Sequence, residues 1–256
     1  MTQTSNEIAR QLVAEHKEGV RFHKLDGTDS LEDAYRVQSA YVDAIIGDNG
    51  VAGYKIGLTS KRMQEMCGID QPIRGTVFGN RVHQSGARLA LADYGRLGLE
   101  FEICVRLGRD LPATGAPFTA ETAGAAVEAV AAAIELVDDR DADYSVLHCG
   151  TLVADNSWNA GIVLGEFVGP PARLDEAVGI AYENGEELAR GVGADALGHP
   201  FEPLAWLANH LAASGQMLRK GDVVMTGSIV VTRFPTGPFE YRFDVSGIGS
   251  VSVSGS

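Results

Sequence analysis

The stretch Leu97-Gly-Leu-Glu-Phe-Glu-Ile-Cys-Val-Arg-Leu107 alternates strictly between two kinds of side chain. Every odd position is leucine, phenylalanine, isoleucine or valine, and the even positions include Glu100 and Glu102. A period of two belongs to a β-strand, so the stretch predicts a strand with one wholly apolar face. The two glutamates then project from the other face, about 7 Å apart along the strand. Such a pair is tolerated on a solvated face or beside a cation, and this segment alone leaves both readings open.

Two further residues bear on whether Glu100 and Glu102 face solvent or a cation. Glu135 lies inside the apolar stretch 131–139, where an unpaired carboxylate is expensive to bury. If it meets Glu100 and Glu102, three carboxylates form an oxygen-only ligand set of the kind that suits Mg²⁺ or Mn²⁺. Spacing alone does not establish that they meet. Lys55, within Gly53-Tyr-Lys-Ile-Gly57, is either an ordinary strand-edge residue or a partly desolvated base with a lowered pKa.

Composition restricts the class of protein. The chain has 256 residues, of which 45% are hydrophobic and 21% charged, as in a folded globular protein. It carries 21 Lys+Arg against 34 Asp+Glu, a net charge of −13, which disfavours binding to nucleic acid or to anionic membranes. The N-terminus lacks a signal pattern, no apolar run approaches about 18 residues, and the cysteines form no C-x-x-C pair. We therefore expect a cytoplasmic protein with reduced thiols at Cys67, Cys104 and Cys149.

The order of patterns predicts an α+β fold. We expect an N-terminal helical segment over residues 1–50, followed by a strand-rich catalytic domain over 51–256. Within the second part, helical patterns cover 61–67, 119–133 and 203–218. A strand that runs into a loop covers 51–60, and strand patterns cover 97–107, 160–168, 177–183, 222–232 and 239–253.

Several short motifs occur in a family-specific order from about residue 30 to the end. With them the sequence resembles the 2-keto-4-pentenoate hydratase / 4-oxalocrotonate decarboxylase family of the fumarylacetoacetate-hydrolase superfamily. The resemblance implies a mixed β-roll with flanking helices and an N-terminal helical segment. The motifs are Tyr54-Lys-Ile-Gly-Leu-Thr-Ser60, Leu99-Glu-Phe-Glu-Ile103, Ala133-Ile-Glu-Leu-Val-Asp138, Ala154-Asp-Asn156, Gly198-His-Pro200, Leu204-Ala-Trp-Leu-Ala-Asn209, Val224-Met-Thr-Gly-Ser228 and Gly247-Ile-Gly-Ser-Val251.

The same resemblance implies a divalent metal, Mg²⁺ or Mn²⁺, held by Glu100, Glu102 and Glu135. It places Lys55 against the substrate, a small anionic 2-oxo acid or its 2-hydroxy-dienoate tautomer. It also implies a homo-oligomer, with a complex with a pathway neighbour as a further possibility. The expected reaction is addition of water to a 2-oxo-enoate in the meta-cleavage breakdown of aromatic compounds.

The alternative reaction is decarboxylation of 2-oxo-3-hexenedioate. Hydratases of the family commonly carry an acidic residue where this chain has Ile73, which is a decarboxylase-like feature. Asp70 can substitute as the catalytic acid, and Arg74 can meet a distal carboxylate. A C–C bond hydrolase and a non-catalytic partner subunit are weaker alternatives.

Two polar segments are candidates for the substrate pocket. Asp155, Asn156 and Ser157 either bond the substrate and orient neighbouring groups, or serve as turn residues. Ser228, with the backbone of Thr226-Gly-Ser, either presents hydrogen-bond donors to a carboxylate or forms a plain turn. Positive charge that would help an anionic substrate to enter is expected from Lys55, Lys61 and Arg74.

Overall fold

The computed structural model of the protein describes residues 3–256. Its six α-helices are α1 (Ser5–Glu18), α2 (Leu31–Ile46), α3 (Lys61–Met66), α4 (Ala120–Gly124), α5 (Cys149–Ala154) and α6 (Phe201–Ala213). Its twelve strands are β1 (Val51–Gly57), β2 (Ile73–Phe78), β3 (Val82–Gln84), β4 (Ala87–Leu89), β5 (Leu97–Leu107), β6 (Val127–Asp138), β7 (Asn159–Leu164), β8 (Val178–Glu183), β9 (Glu186–Val192), β10 (Val223–Arg233), β11 (Phe239–Val245) and β12 (Gly249–Gly255).

The strands form two mixed sheets. The larger has the order β2-β1-β10-β5-β6-β7-β3 and the smaller the order β4-β12-β11-β8-β9. The apolar face of β5 lies against the smaller sheet, where the ring of Phe101 packs 5.5 Å from that of Phe243 and 5.8 Å from that of Tyr241. The alternation in 97–107 therefore has a direct cause, because one face of β5 belongs to the core between the sheets. The predicted α+β fold and the strand over 97–107 are confirmed.

The N-terminal helices lie against the larger sheet by way of α5. Ile8 and Leu12 of α1, with Val37 and Tyr41 of α2, form a buried cluster that reaches Ala154 of α5. Two side chains then tie α2 to the sheet edge. The amide of Gln38 donates to the backbone oxygens of Arg74 and Val153 at 2.8 and 2.7 Å, and the Tyr35 hydroxyl accepts from the Arg74 N–H at 3.1 Å. The division of the chain at residue 50 stays a prediction.

The helix predicted over 119–133 is wrong. Thr119 does cap a helix, but α4 ends at Gly124 and the chain enters β6 at Val127. The alanines at 129 and 131–133 are buried in the middle of the larger sheet, between β5 and β7. Their helical propensity is worth only tenths of a kcal/mol per residue, less than the sheet gains by burying them.

Two strand predictions also need new limits. The single strand predicted over 239–253 is the antiparallel pair β11–β12. The strand predicted over 160–168 ends at Leu164. Within residues 3–256, none of the helices is long and apolar enough to cross a bilayer.

Candidate metal and substrate site

Three glutamates meet on the polar face of the larger sheet. Glu100 of β5 is paired directly with Glu135 of β6 in the antiparallel register, and Glu102 lies two residues further along β5. Directly opposed residues project to the same side at short separation, so the antiparallel pair β5–β6 brings the three side chains together. One carboxylate oxygen from each lies within 4.8 Å of the other two. Glu102 and Glu135 are fully buried, and Glu100 is half-buried.

Few donors serve these carboxylates. Lys55 Nζ lies 3.1 Å from Glu135 Oε1, to which Asn159 Nδ2 also donates at 3.0 Å. The backbone N–H of Gly227 donates to Glu102 Oε2 at 2.8 Å. The second oxygen of each of these two glutamates, Glu102 Oε1 and Glu135 Oε2, is buried and has no hydrogen-bond partner among the described residues. Orphaned anionic oxygens are costly in a protein interior, and a cation between them removes that cost.

The pKa values reflect this crowding. Burial raises the pKa of Glu102 well above its ordinary value, and the negative charges of Glu135 and Glu100 raise it further. Burial raises the pKa of Glu135 to about 7, with Lys55 opposing the rise and Glu100 adding to it. Burial alone would lower the pKa of Lys55, but the three glutamates outweigh it, so the net pKa is raised. In the metal-free cluster the pKa of Lys55 is therefore raised, contrary to the lowered pKa that the sequence left open.

Close backbone packing places Lys55 and Glu102. Lys55 on β1 pairs with Gly75 of β2, where a Cβ atom would lie 2.4 Å from the backbone oxygen of Asn156. Gly227 has φ +104°, and a Cβ atom there would lie 2.5 Å from the side chain of Thr59. Only glycine fits at either position, which lets neighbouring segments close over the site.

The donor set fits a hard divalent cation. All three candidate ligands are carboxylates, two of them have free oxygens, and neither sulfur nor imidazole belongs to the cluster. Mg²⁺ and Mn²⁺ favour such oxygen ligands, whereas Zn²⁺ sites usually include nitrogen or sulfur.

The Asp155-Asn156-Ser157 segment contacts protein through all three side chains. The Asn156 amide bonds the backbone N–H and C=O of Thr76 at 2.7 and 2.9 Å, as a strand partner would. The Ser157 hydroxyl donates to the backbone oxygen of Arg74 at 2.8 Å. Asp155 is buried between His16 and Arg140, at 2.6 and 2.8 Å. The geometry therefore favours the positioning and turn roles over direct contact with substrate.

Four other candidates lie apart from the glutamates or are already bonded. Arg74 projects from the face of β2 opposite to Lys55, stacks 4.8 Å over the Tyr35 ring and donates to Gln38 Oε1 at 2.8 Å. Asp70 is exposed and forms no hydrogen bond or ion pair within residues 3–256. The Ser228 hydroxyl accepts from the Phe101 N–H at 3.0 Å and donates to the Val230 backbone oxygen at 2.6 Å. Lys61, the other candidate for positive charge, is exposed at the start of α3.

Three residues at the site had no assigned role in the sequence. They are Thr59, which packs against Gly227; Thr232, whose hydroxyl donates to Glu100 Oε1 at 2.8 Å; and Asn159. The backbone of Thr226-Gly-Ser was a candidate donor to a carboxylate, and its Gly227 N–H donates to Glu102. Thr59 and Gly227 lie within recognised motifs, but nothing in the local sequence of Asn159 or Thr232 points to a glutamate far along the chain.

The two mixed sheets and their buried carboxylate cluster are the features that indicate the class of protein. The chain belongs to the fumarylacetoacetate hydrolase family, since residues 62–246 match the family description "Fumarylacetoacetate (FAA) hydrolase C-terminal". The chain is 38% identical over 229 residues to a 2-keto-4-pentenoate hydratase of Burkholderia vietnamiensis, covering 86% of this chain and 84% of the relative. It is 34% identical over 230 residues to a 2-hydroxyhexa-2,4-dienoate hydratase of Comamonas testosteroni, covering 88% and 86%.

Among solved structures, the chain is similar to a 4-oxalocrotonate decarboxylase from Pseudomonas putida G7 complexed with magnesium and adipate. The TM-score is 0.90 at 25% identity, covering 98% of this chain and 97% of the other. The resemblance read from the sequence motifs is confirmed, together with the fold that it implied.

Proposed function

We propose that the chain is a divalent-metal-dependent lyase that adds water to a 2-hydroxy-dienoate or its 2-oxo-enoate tautomer. It is a hydratase of the 2-keto-4-pentenoate type that serves the breakdown of aromatic compounds. The observation that carries the proposal is the buried cluster of Lys55 and three glutamates with orphaned oxygens. Support comes from relatives named as hydratases that align with more than four-fifths of the chain.

Glu100, Glu102 and Glu135 would hold the cation, either Mg²⁺ or Mn²⁺. When bound, it supplies positive charge that binds the substrate's carboxylate and 2-oxo oxygens and polarises the carbonyl group. The backbone N–H of Gly227 and the Thr232 hydroxyl hold Glu102 and Glu100 in place. Because these donors belong to β10, the two strands β5 and β10 fix the site together.

Lys55 is the proton carrier of the proposal. Its Nζ is buried and lies on the same face of the sheet as the glutamates, within reach of a substrate bound beside them. Forming the enone puts a proton on C5 of the dienol and releases the enol O–H proton, and hydration then adds hydroxide from water to C4 and a proton to C3. Lys55 Nζ is the group placed to move these protons. Ile73 is buried on the same face of the sheet as Lys55. A contribution of Asp70 as the acid stays a prediction.

Decarboxylation remains the second candidate because the decarboxylase structure overlays nearly the whole chain. In that reaction Arg74 was expected to meet a distal carboxylate. Its side chain lies instead on the opposite face of β2, bonded to Gln38 and stacked on Tyr35. This placement favours the hydratase. The substrate partner of the proposal is a small anionic 2-oxo acid, and the assembly is a homo-oligomer in the cytoplasm. A complex with a pathway neighbour stays a prediction.

A paired assay tests the proposal. Protein with Mg²⁺ or Mn²⁺ is given 2-hydroxypenta-2,4-dienoate in one tube and 2-oxohex-3-enedioate in the other, with ultraviolet loss followed in both and CO₂ in the second. We expect loss of the dienoate without CO₂ from the diacid. Lys55→Met should lower kcat by about 10²- to 10⁴-fold, and Lys220→Met, at an exposed lysine, should not. If the diacid releases CO₂ and the dienoate is not consumed, the proposed hydratase activity is wrong and the protein is a decarboxylase.

A further inference from the structure

Asn159 is a buried residue in contact with a candidate metal ligand. It is the first residue of β7 and donates through Nδ2 to Glu135 Oε1 at 3.0 Å. Its own Oδ1 is buried and has no hydrogen-bond partner among the described residues. The Asn159 amide is therefore oriented by its bond to Glu135 alone, which makes that bond the side chain's main polar contact.

Both donors to Glu135 use the same oxygen. Lys55 reaches Oε1 from β1, and Asn159 reaches it from β7, so the donors approach from opposite sides of β6 in the sheet. Glu135 Oε2 is buried and has no hydrogen-bond partner among the described residues. The terminal torsion of a glutamate is broad and roughly two-fold, so the side chain alone does not select which oxygen turns toward Glu100 and Glu102. The two donors occupy Oε1, so Oε2 is the oxygen that is left free.

The two donors differ in how permanent they are. In the proposed reaction Lys55 gives up and regains a proton, so its bond to Glu135 changes during turnover. Asn159 is uncharged and holds no transferable proton at any working pH, so its bond is constant. A permanent orienting bond to a ligand is the kind of contact that tunes metal affinity.

We propose that Asn159 is a positioning residue that holds Glu135 Oε1 away from the cation and leaves Oε2 as its ligand atom. This inference rests on the proposed metal site. The Asp155-Asn156-Ser157 segment precedes Asn159 with only Trp158 between them, so its contacts bear on where β7 begins. Residues 156–158 all have left-handed backbone angles, with φ of 49°, 51° and 61°. The bonds of Asn156 to Thr76 and of Ser157 to the Arg74 backbone hold this turn against β2.

The test compares Mn²⁺ binding in three proteins, by electron paramagnetic resonance of free Mn²⁺ and by the metal-induced shift of Tm. Asn159→Leu keeps the branched shape and removes the amide. We expect its Mn²⁺ Kd to rise by about 10- to 100-fold and its metal-induced Tm shift to shrink. The matched control is Asn209→Leu, which loses two hydrogen bonds to the Phe118 backbone and none to the glutamates. Its metal-free Tm should fall while its Mn²⁺ Kd stays unchanged.

The possible outcomes distinguish a failure of the positioning role of Asn159 from a failure of the proposed metal site. If the unchanged protein binds no Mn²⁺, the proposed metal site is wrong. If it binds Mn²⁺ and Asn159→Leu binds equally tightly, the metal site stands and the positioning role is wrong. Should Asn159→Leu not fold, Asn159→Ala is judged by the same comparison. A loss of affinity that excess Mn²⁺ repairs, with kcat recovering, supports the positioning role over a general loss of structure.

Discussion

At the scale of single residues, charge balance explains the site. Three ionised glutamates and one lysine leave a net charge of −2 in a region where two carboxylates are fully buried. Removing even one such charge from water costs several kcal/mol unless a counter-charge is present. A divalent cation supplies the missing charge in full. Without it, the protein reduces the cost by holding protons, which is why the pKa of Glu135 is raised to about 7.

That raised pKa predicts how pH acts on the metal-free protein. The pKa of Glu135 is about 7 in the fold and near 4.5 when the chain is unfolded. The bound proton therefore stabilises the fold below about pH 4.5, and this stabilisation is lost as pH rises through 7. We expect the Tm of the metal-free protein to fall between pH 5 and 8 by more than the Tm of Glu135→Gln, in which this proton is absent. Calorimetry checks this, and equal slopes in the two proteins would contradict it.

The same proton competes with the cation. A carboxylate must be ionised to bind metal, so Mn²⁺ affinity should fall by up to about tenfold for each pH unit below 7. Saturating Mn²⁺ should accordingly remove the fall in Tm between pH 5 and 8. An Mn²⁺ affinity that does not change between pH 5.5 and 7.5 would show that Glu135 is not a ligand.

At the scale of elements, the sequence was informative where the two faces of a strand differ in polarity. β5 was predicted with its limits because its apolar face packs on the smaller sheet and its other face carries the glutamates. β6 was missed because both of its faces are mostly small and apolar, and such a run carries no period. Glu100 meets Glu135 because of the register between β5 and β6. A long connection separates these two strands in the sequence, so local patterns do not reveal that register. Lys55 and Asn159 arrive from β1 and β7, so their contacts follow from sheet order, which local patterns do not encode.

The turn before β7 gives a prediction at this scale. Asn156→Ala removes both hydrogen bonds to Thr76 and leaves two backbone groups on β2 without partners. We expect a loss of about 2 to 4 kcal/mol in the free energy of unfolding, measured by urea titration. Asn49→Ala is the control, since this exposed asparagine makes one local bond and its loss should cost less than about 0.5 kcal/mol. Equal costs for the two variants would show that the turn does not depend on Asn156.

At the scale of the whole molecule, the negative net charge acts in opposite ways on the two ligands of the proposed site. The net charge of −13 repels an anionic substrate at long range and attracts the cation that the substrate needs. Close to the site the balance changes, because a divalent cation together with Lys55 offsets the three glutamates. The substrate must therefore cross a repulsive outer field before it reaches a neutral site. Salt screens the outer field far more than it screens a buried cluster, since the Debye length falls from about 30 Å at 0.01 M to about 10 Å at 0.1 M.

Ionic strength should thus move the two binding steps in opposite directions. Between 10 and 200 mM KCl, we expect kcat/KM for the anionic substrate at saturating Mn²⁺ to rise about two- to fivefold, because screening weakens the repulsion. Over the same range the Kd for Mn²⁺ should rise by a similar factor, because screening weakens the attraction. Kcat at saturating substrate is the internal control and should stay constant, since the chemical step occurs within the buried cluster. A fall in kcat/KM with salt would mean that a positive surface, on this chain or on a neighbouring copy, guides the substrate to the site.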